Sequence, residues 1–292
     1  MQRASFINDL VAQLLSVCDS PAEATSQAWQ LLEHVLGQRK AHILTQATVA
    51  LSVSQAAALA DLVLQRVIAR KPLQYLLGSV PFCDLTIAVQ APTLIPRPET
   101  EEWVSWLVAQ LHPVRHEGLR ILDLCTGTGC IALALAQAFP QAQVLGVDIA
   151  PEAVALAQRN AADNRLSNVT FVCADLWAGV PAGQEYDLIV SNPPYISAAE
   201  YDQLQPEVAL WEDVRALKAE QQGLALYAEI AKELPGKIKK NSILAKHHLP
   251  VMVVELGTDP HAVLQLFADK GLSELALHND MQQVYRWLVG QI

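Results

Sequence analysis

Apolar residues recur through residues 1–75 at helical spacing. Phe6, Leu10, Leu14 and Val17 form one stripe. Trp29, Leu32 and Leu36 form a second, and Leu59, Leu62, Val63 and Val67 a third. Ser20-Pro21 with Glu23 behind it, and Ser52 or Ser54, supply helix starts, because a serine side chain caps unpaired N–H groups. The expectation is a small helical bundle used for binding or scaffolding, a candidate substrate-recognition domain. Residues 76–97 change character. Pro81-Phe-Cys-Asp-Leu-Thr-Ile-Ala-Val89 alternates like a strand, and Pro92, Pro96 and Pro98 punctuate the residues after it, so this stretch reads as a connecting hairpin. A helix then starts at Pro98, with its acids in the first turn, where the helix dipole favours them, and with Trp103, Leu107 and Leu111 on its apolar face.

From Leu119 the pattern alternates between strand and helix. Strands are expected at 119–124, 143–148, 169–173, 187–191 and 250–256, and helices at 130–139, 151–164, 221–234 and 260–269. Strands spaced by helices predict an α/β fold, a mostly parallel Rossmann-like sheet covered on both faces, spanning residues 98–292. Leu275-Ala-Leu277 and Val284-Tyr-Arg-Trp-Leu-Val289 are candidates for a final strand pair.

Composition narrows the function. Acids exceed bases by ten, while residues 1–75 hold six bases and five acids, so the negative charge resides in the rest. This balance argues against a broad nucleic-acid surface. The longest apolar runs fall short of the ~20 residues of a membrane helix, and no signal-peptide core is evident, so a soluble, cytoplasmic protein is expected. Five cysteines without a Cys-x-x-Cys pair suggest neither a disulfide framework nor a metal site.

Two motifs carry chemistry. Asp123-Leu-Cys125-Thr126-Gly127-Thr128-Gly129 turns from an apolar strand into a helix, and its glycines permit a tight turn and close ligand approach. Asp148 ends the next strand, placed to hold a ribose. The loop fits a dinucleotide fingerprint and equally an S-adenosylmethionine loop. Asp123 favours the second, since it repels a diphosphate and attracts a cationic sulfonium and amino group. Asp175 and Leu176, after the third strand, are candidates for the adenine. The second motif, Asn192-Pro193-Pro194-Tyr195, comes after the fourth strand. Prolines remove N–H donors and stiffen the backbone, leaving the carbonyls of Asn192 and Pro193, with the Asn192 side chain, as acceptors for a planar –NH₂ group. Tyr195 offers it a ring face. An exocyclic adenine amine and a carboxamide both meet this description. An oxidoreductase reading leaves Asn192–Tyr195 without a task, and a binding module without turnover leaves the intact loop unexplained.

Asn192-Pro-Pro-Tyr195, Asp123–Ala134 and Leu94-Ile-Pro-Arg97-Pro-Glu99-Thr-Glu101 together resemble the HemK/PrmC family of peptide chain release factor glutamine methyltransferases. Gln74-Tyr-Leu-Leu-Gly78 and Glu255-Leu-Gly257 fit as well. The resemblance implies an S-adenosylmethionine-dependent enzyme that methylates the Gln of the Gly-Gly-Gln loop in class I release factors. It further implies that Asn192, Pro193, Pro194 and Tyr195 hold that Gln, and that Gly127, Gly129, Asp148 and Leu176 line the cofactor pocket. Arg97 and Glu99 would lie at the active-site rim. The chain departs from the family pattern at Glu212–Leu224, and Leu234–Pro250 is longer and more basic than the turn expected there.

Overall fold

The computed structural model describes residues 2–257 and 259–291, Ser273 by its backbone only. The chain divides into two compact units, Met1–Gly78 with Gln205–Trp211, and Ser79–Leu204 with Glu212–Ile292.

The first unit holds α1 (Arg3–Leu14), α2 (Pro21–Leu36), α3 (Lys40–Leu44), α4 (Val53–Val67) and α5 (Leu73–Leu77). The Ser20 hydroxyl accepts from the Glu23 N–H at 3.1 Å, Pro21 opens α2, and Gly37 closes it in the left-handed conformation. Ser52 and Gln55 form a reciprocal capping box on α4. Ile7, Leu10, Leu14, Leu31, Leu32 and Val63 form the core. Along α1 it is Ile7, rather than Phe6, that points fully inward.

Residues Gln205–Trp211 reach this unit from far along the chain and are fastened by charge. Buried Arg66 donates to Glu207 Oε1 (2.8 Å), Gln27 Oε1 (2.9 Å) and the Val17 carbonyl (2.8 Å), and Arg70 donates to Glu207 Oε2 (2.9 Å). Burial pushes the Glu207 carboxyl up, but hydrogen bonds from Arg66 and Arg70 outweigh it and hold the group below its ordinary value.

The second unit opens with a hairpin, β1 (Ser79–Phe82) and β2 (Leu85–Ala88). Its turn residues Cys83 and Asp84 both take positive φ, as a tight two-residue turn between twisted strands requires. Then come α6 (Pro98–Leu111), β3 (Arg120–Leu124), α7 (Cys130–Ala138), β4 (Gln143–Asp148), α8 (Pro151–Asp163), β5 (Val169–Cys173), β6 (Leu188–Ser191) and β7 (Met252–Glu255). β8 (Ser273–Asn279) and β9 (Tyr285–Gln291) finish the chain. The sheet order is β5-β4-β3-β6-β7-β9-β8, parallel from β5 to β7, with β9 antiparallel to both neighbours. Every residue of β6 and β7 is buried, as expected for central parallel strands covered on both faces.

The helix expected over 221–234 instead begins at Ala225. Gln221, Gln222 and Gly223 all have positive φ, a left-handed run that no α-helix contains. The basic segment 234–250 is bonded to Tyr186, just ahead of β6. Tyr186 N–H donates to the Lys237 carbonyl (2.8 Å), Lys239 N–H donates back to Tyr186 (2.9 Å), and Ile238 and Leu244 are buried.

The strand order decides where a ligand sits. From β3 the chain winds outward through β4 and β5, then returns to place β6 on the other side of β3. The crevice at such a reversal, beyond the carboxyl ends of the strands, is the binding position of open α/β sheets. Leu124 pairs with Ser191 in register, and Ser191 Oγ donates to the Leu124 carbonyl at 2.8 Å. The glycine loop and Asn192 therefore leave the sheet side by side.

Candidate active site

Beyond these strand ends lies a cavity of about 1040 Å³, its open mouth included. Of the residues expected from the sequence, Cys125, Gly127, Asp148, Asp175, Leu176 and Asn192 line it, and Pro194 joins them. Cys125 (φ 60°) and Leu176 (φ 40°) hold positive φ, a conformation uncommon outside glycine and concentrated at functional sites. Asp148 is fixed by two backbone donors, Gly127 N–H to Oδ2 (2.8 Å) and Ala150 N–H to Oδ1 (2.9 Å). Burial raises its carboxyl pKa, against those hydrogen bonds.

Asp123, Thr126, Thr128 and Gly129 are not part of the cavity wall. They shape the loop from behind. The buried Asp123 Oδ2 accepts from Thr126 Oγ1 (2.6 Å) and the Ala132 N–H (3.2 Å), and the Thr128 carbonyl accepts from buried Asn160 (2.9 Å). Gly129 (φ 81°) opens α7, and a methyl there would come within 3.0 Å of Ala157 and Phe171. At Gly127 (φ 55°) an added methyl would meet nothing within 4 Å. The loop is thus tight behind and bare where it faces the cavity.

S-adenosylmethionine fits this donor set. Asp123 Oδ1 is buried with no hydrogen-bond partner, a placement that favours a cation nearby. Asp148 would hold the ribose, and Asp175 with Leu176 the adenine. Burial pushes the Asp123 carboxyl up from 3.8 to about 7, against the hydrogen bonds from Thr126 and Ala132. A cationic ligand binds best to the ionised carboxylate, so its affinity falls as pH drops through about 7. Calorimetry of S-adenosylmethionine should record weaker binding at pH 6 than at pH 8, and Asp123→Asn should reduce that dependence. For folding the sign is opposite. The native state keeps this proton between 3.8 and about 7, where the unfolded chain has lost it, so this carboxyl's contribution to stability declines as pH rises across that window. Asp123→Asn should flatten that decline in denaturant titrations.

The Asn-Pro-Pro-Tyr segment divides between wall and support. Asn192 and Pro194 line the cavity, whereas Pro193 and Tyr195 do not. The Tyr195 ring lies on the backbone of Gly257, where a methyl would sit 1.9 Å from Cε2. Burial raises the Tyr195 hydroxyl pKa, and the nearby Glu255 carboxylate adds to the rise, so the phenol stays neutral. Arg97 precedes α6 and donates from Nη2 to Glu212 Oε2 at 2.5 Å, and Glu99 sits in the first turn of α6; neither lines the cavity. The sequence pattern did not point to Glu152, Asp213 and Arg215, all on the wall. Arg215 pairs with both acids. The one local signal was Glu152 in the first turn after Asp148. Among the described residues, no group of His, Cys, Asp or Glu side chains could hold a metal ion, and no helix is long and apolar enough to cross a membrane.

The chain also matches known proteins over most of its length. Residues 10–78 match the PrmC N-terminal domain, and residues 115–284 match a methyltransferase domain. A release factor glutamine methyltransferase of Geobacter sulfurreducens is 37% identical over 264 residues, 90% of this chain and 87% of that protein. The chain belongs to the release factor glutamine methyltransferase family. The Escherichia coli member is 36% identical over 85% of this chain and 86% of its own length. Among solved structures, a release factor-specific protein-(glutamine-N5) methyltransferase from Alicyclobacillus acidocaldarius has 23% identity and a TM-score of 0.40, covering 68% of this chain and 94% of that one.

Proposed function

We propose that this chain methylates the side-chain amide nitrogen of the Gly-Gly-Gln glutamine in class I peptide chain release factors, with S-adenosylmethionine as donor. The observation that carries this reading is the shared cavity: Asn192 and the cofactor-type residues Gly127 and Asp148 line one space. When bound, S-adenosylmethionine supplies an electrophilic methyl carbon on a sulfonium. The chain's own residues act on the acceptor. A carboxamide nitrogen is a poor nucleophile because its lone pair is delocalised. Asn192 Oδ1 accepts one of its hydrogens, which raises electron density on nitrogen and fixes its direction of approach, and Pro193 and Pro194 hold Asn192 rigid for that contact. Neutral Tyr195 supports this loop without adding charge.

The test supplies purified protein with labelled S-adenosylmethionine and three acceptors, a release factor, its Gln→Ala variant and duplex DNA. Label in the release factor alone is expected. Label in the Gln→Ala variant or in DNA overturns the reading, the latter in favour of adenine methylation.

The helical unit suits a role in gripping the release factor. Val53, Ala57, Ala60, Leu64 and Ile68 are exposed along one stripe of α4 and the residue after it, with Val53 90%, Leu64 58% and Ile68 73% exposed. An apolar stripe left in water marks a contact surface. Replacing Leu64 and Ile68 together with Glu should weaken release-factor binding roughly tenfold or more. Cofactor affinity should not change. Unchanged protein affinity would exclude this stripe from the interface.

A further inference from the structure

Asn192 can assist the reaction only in one of its two amide orientations. With Oδ1 toward the substrate it accepts a hydrogen from the substrate –NH₂; flipped, it presents its own –NH₂ and two donors collide. A chain of buried hydrogen bonds behind the site decides between them. Glu255, at the end of β7 and 1% exposed, accepts at Oε2 from Trp103 Nε1–H (2.8 Å) and from Thr100 Oγ1–H (2.6 Å). Having given its only hydrogen to Glu255, the Thr100 hydroxyl faces Asn192 with lone pairs. Asn192 Nδ2 donates to that oxygen at 3.3 Å. Tyr227 OH, also buried, donates to the Glu255 carbonyl at 2.8 Å and fixes the residue's backbone.

We propose that Glu255 and Thr100 form a positioning relay that locks the Asn192 amide with its oxygen toward the substrate –NH₂ group. Neither residue lines the cavity, so each acts through Asn192. The relay also accounts for two buried polar residues that the cofactor does not need. A buried carboxylate and threonine are costly unless paired, and their pairing here ends on Asn192, which lines the cavity. The relay rests on the glutamine reading for its turnover test, while its structural half stands apart from any substrate.

Thr100→Val keeps the shape and removes the acceptor. The first measurement needs no substrate. In protein labelled with ¹⁵N-asparagine, the Asn192 side-chain –NH₂ pair is assigned by its loss in Asn192→Asp. It should shift clearly in Thr100→Val and return toward its original position in Thr100→Ser. An unmoved pair overturns the relay. The second measurement is turnover. Thr100→Val should lower kcat about tenfold, a smaller loss than removal of a whole transition-state contact. Cofactor affinity should be unaltered, and Thr100→Ser should restore most of the rate. In an Asn192→Ala background Thr100→Val should cost nothing further, since its effect passes through Asn192. An equal loss in both backgrounds, or full activity in Thr100→Val, overturns the proposal. If wild-type protein fails to label a release factor, the substrate reading falls and the resonance measurement alone decides the relay.

Discussion

Asn192→Ala should reduce turnover of a release factor by roughly 10²–10³, the loss typical of one preorganised polar contact in a transition state. Cofactor binding should hardly change. Asn192 leaves β6 beside the glycine loop, yet the elements that would hold S-adenosylmethionine, the Asp148 carboxylate with its two backbone donors and the turn at Gly127, are built from β3 and β4. Truncation leaves those intact and removes only the side-chain acceptor for the substrate nitrogen. Single-turnover rates with the variant saturated in cofactor measure this directly. A near-normal rate would remove Asn192 from the chemistry, and a parallel loss of cofactor affinity would reassign it to cofactor binding.

Much of this site was legible in the sequence because its backbone demands are local. A strand that runs into Thr-Gly-Thr-Gly must turn, and a strand that runs into two prolines must stop. Adjacency of the two loops comes from the strand order, which the helix-separated apolar runs announced. What escaped the sequence depends on partners distant along the chain. Glu207 carried no pattern in the sequence, and it is fastened by Arg66, 141 residues away. Thr100 and Glu255, 155 residues apart, carried no pattern that joins them, although both lay in stretches notable for other reasons. Arg215 reaches Glu152, 63 residues away, from a segment that the family pattern did not describe. Within single elements, periodicity erred by one position at Ile7 and by one turn before Ala225. The first is a choice of face that bundle packing makes. The second is a left-handed run that neutral glutamines do not advertise.

Gly257→Ala is expected to be nearly as damaging as loss of Asn192, although Gly257 bears no functional group. An alanine methyl would sit 1.9 Å from Cε2, 2.0 Å from Cδ2 and 2.6 Å from Cζ of Tyr195. Real side chains do not approach so closely, so the ring must leave. Tyr195 cannot move alone, because Pro193 and Pro194 stiffen the chain that joins it to Asn192. The displacement is passed to Asn192, and a shift of about 1 Å in a positioning group costs on the order of 10²-fold in rate. Overpacking of this kind should also lower stability by roughly 1–3 kcal/mol, short of unfolding most domains. The discriminating variant is the double mutant. Tyr195→Ala empties the space that the new methyl needs, so adding Gly257→Ala to it should cost almost nothing more in rate or in melting temperature. If Gly257→Ala instead retains full turnover, or does equal damage in both backgrounds, the ring's seat on Gly257 is not what holds the Asn-Pro-Pro-Tyr loop in place.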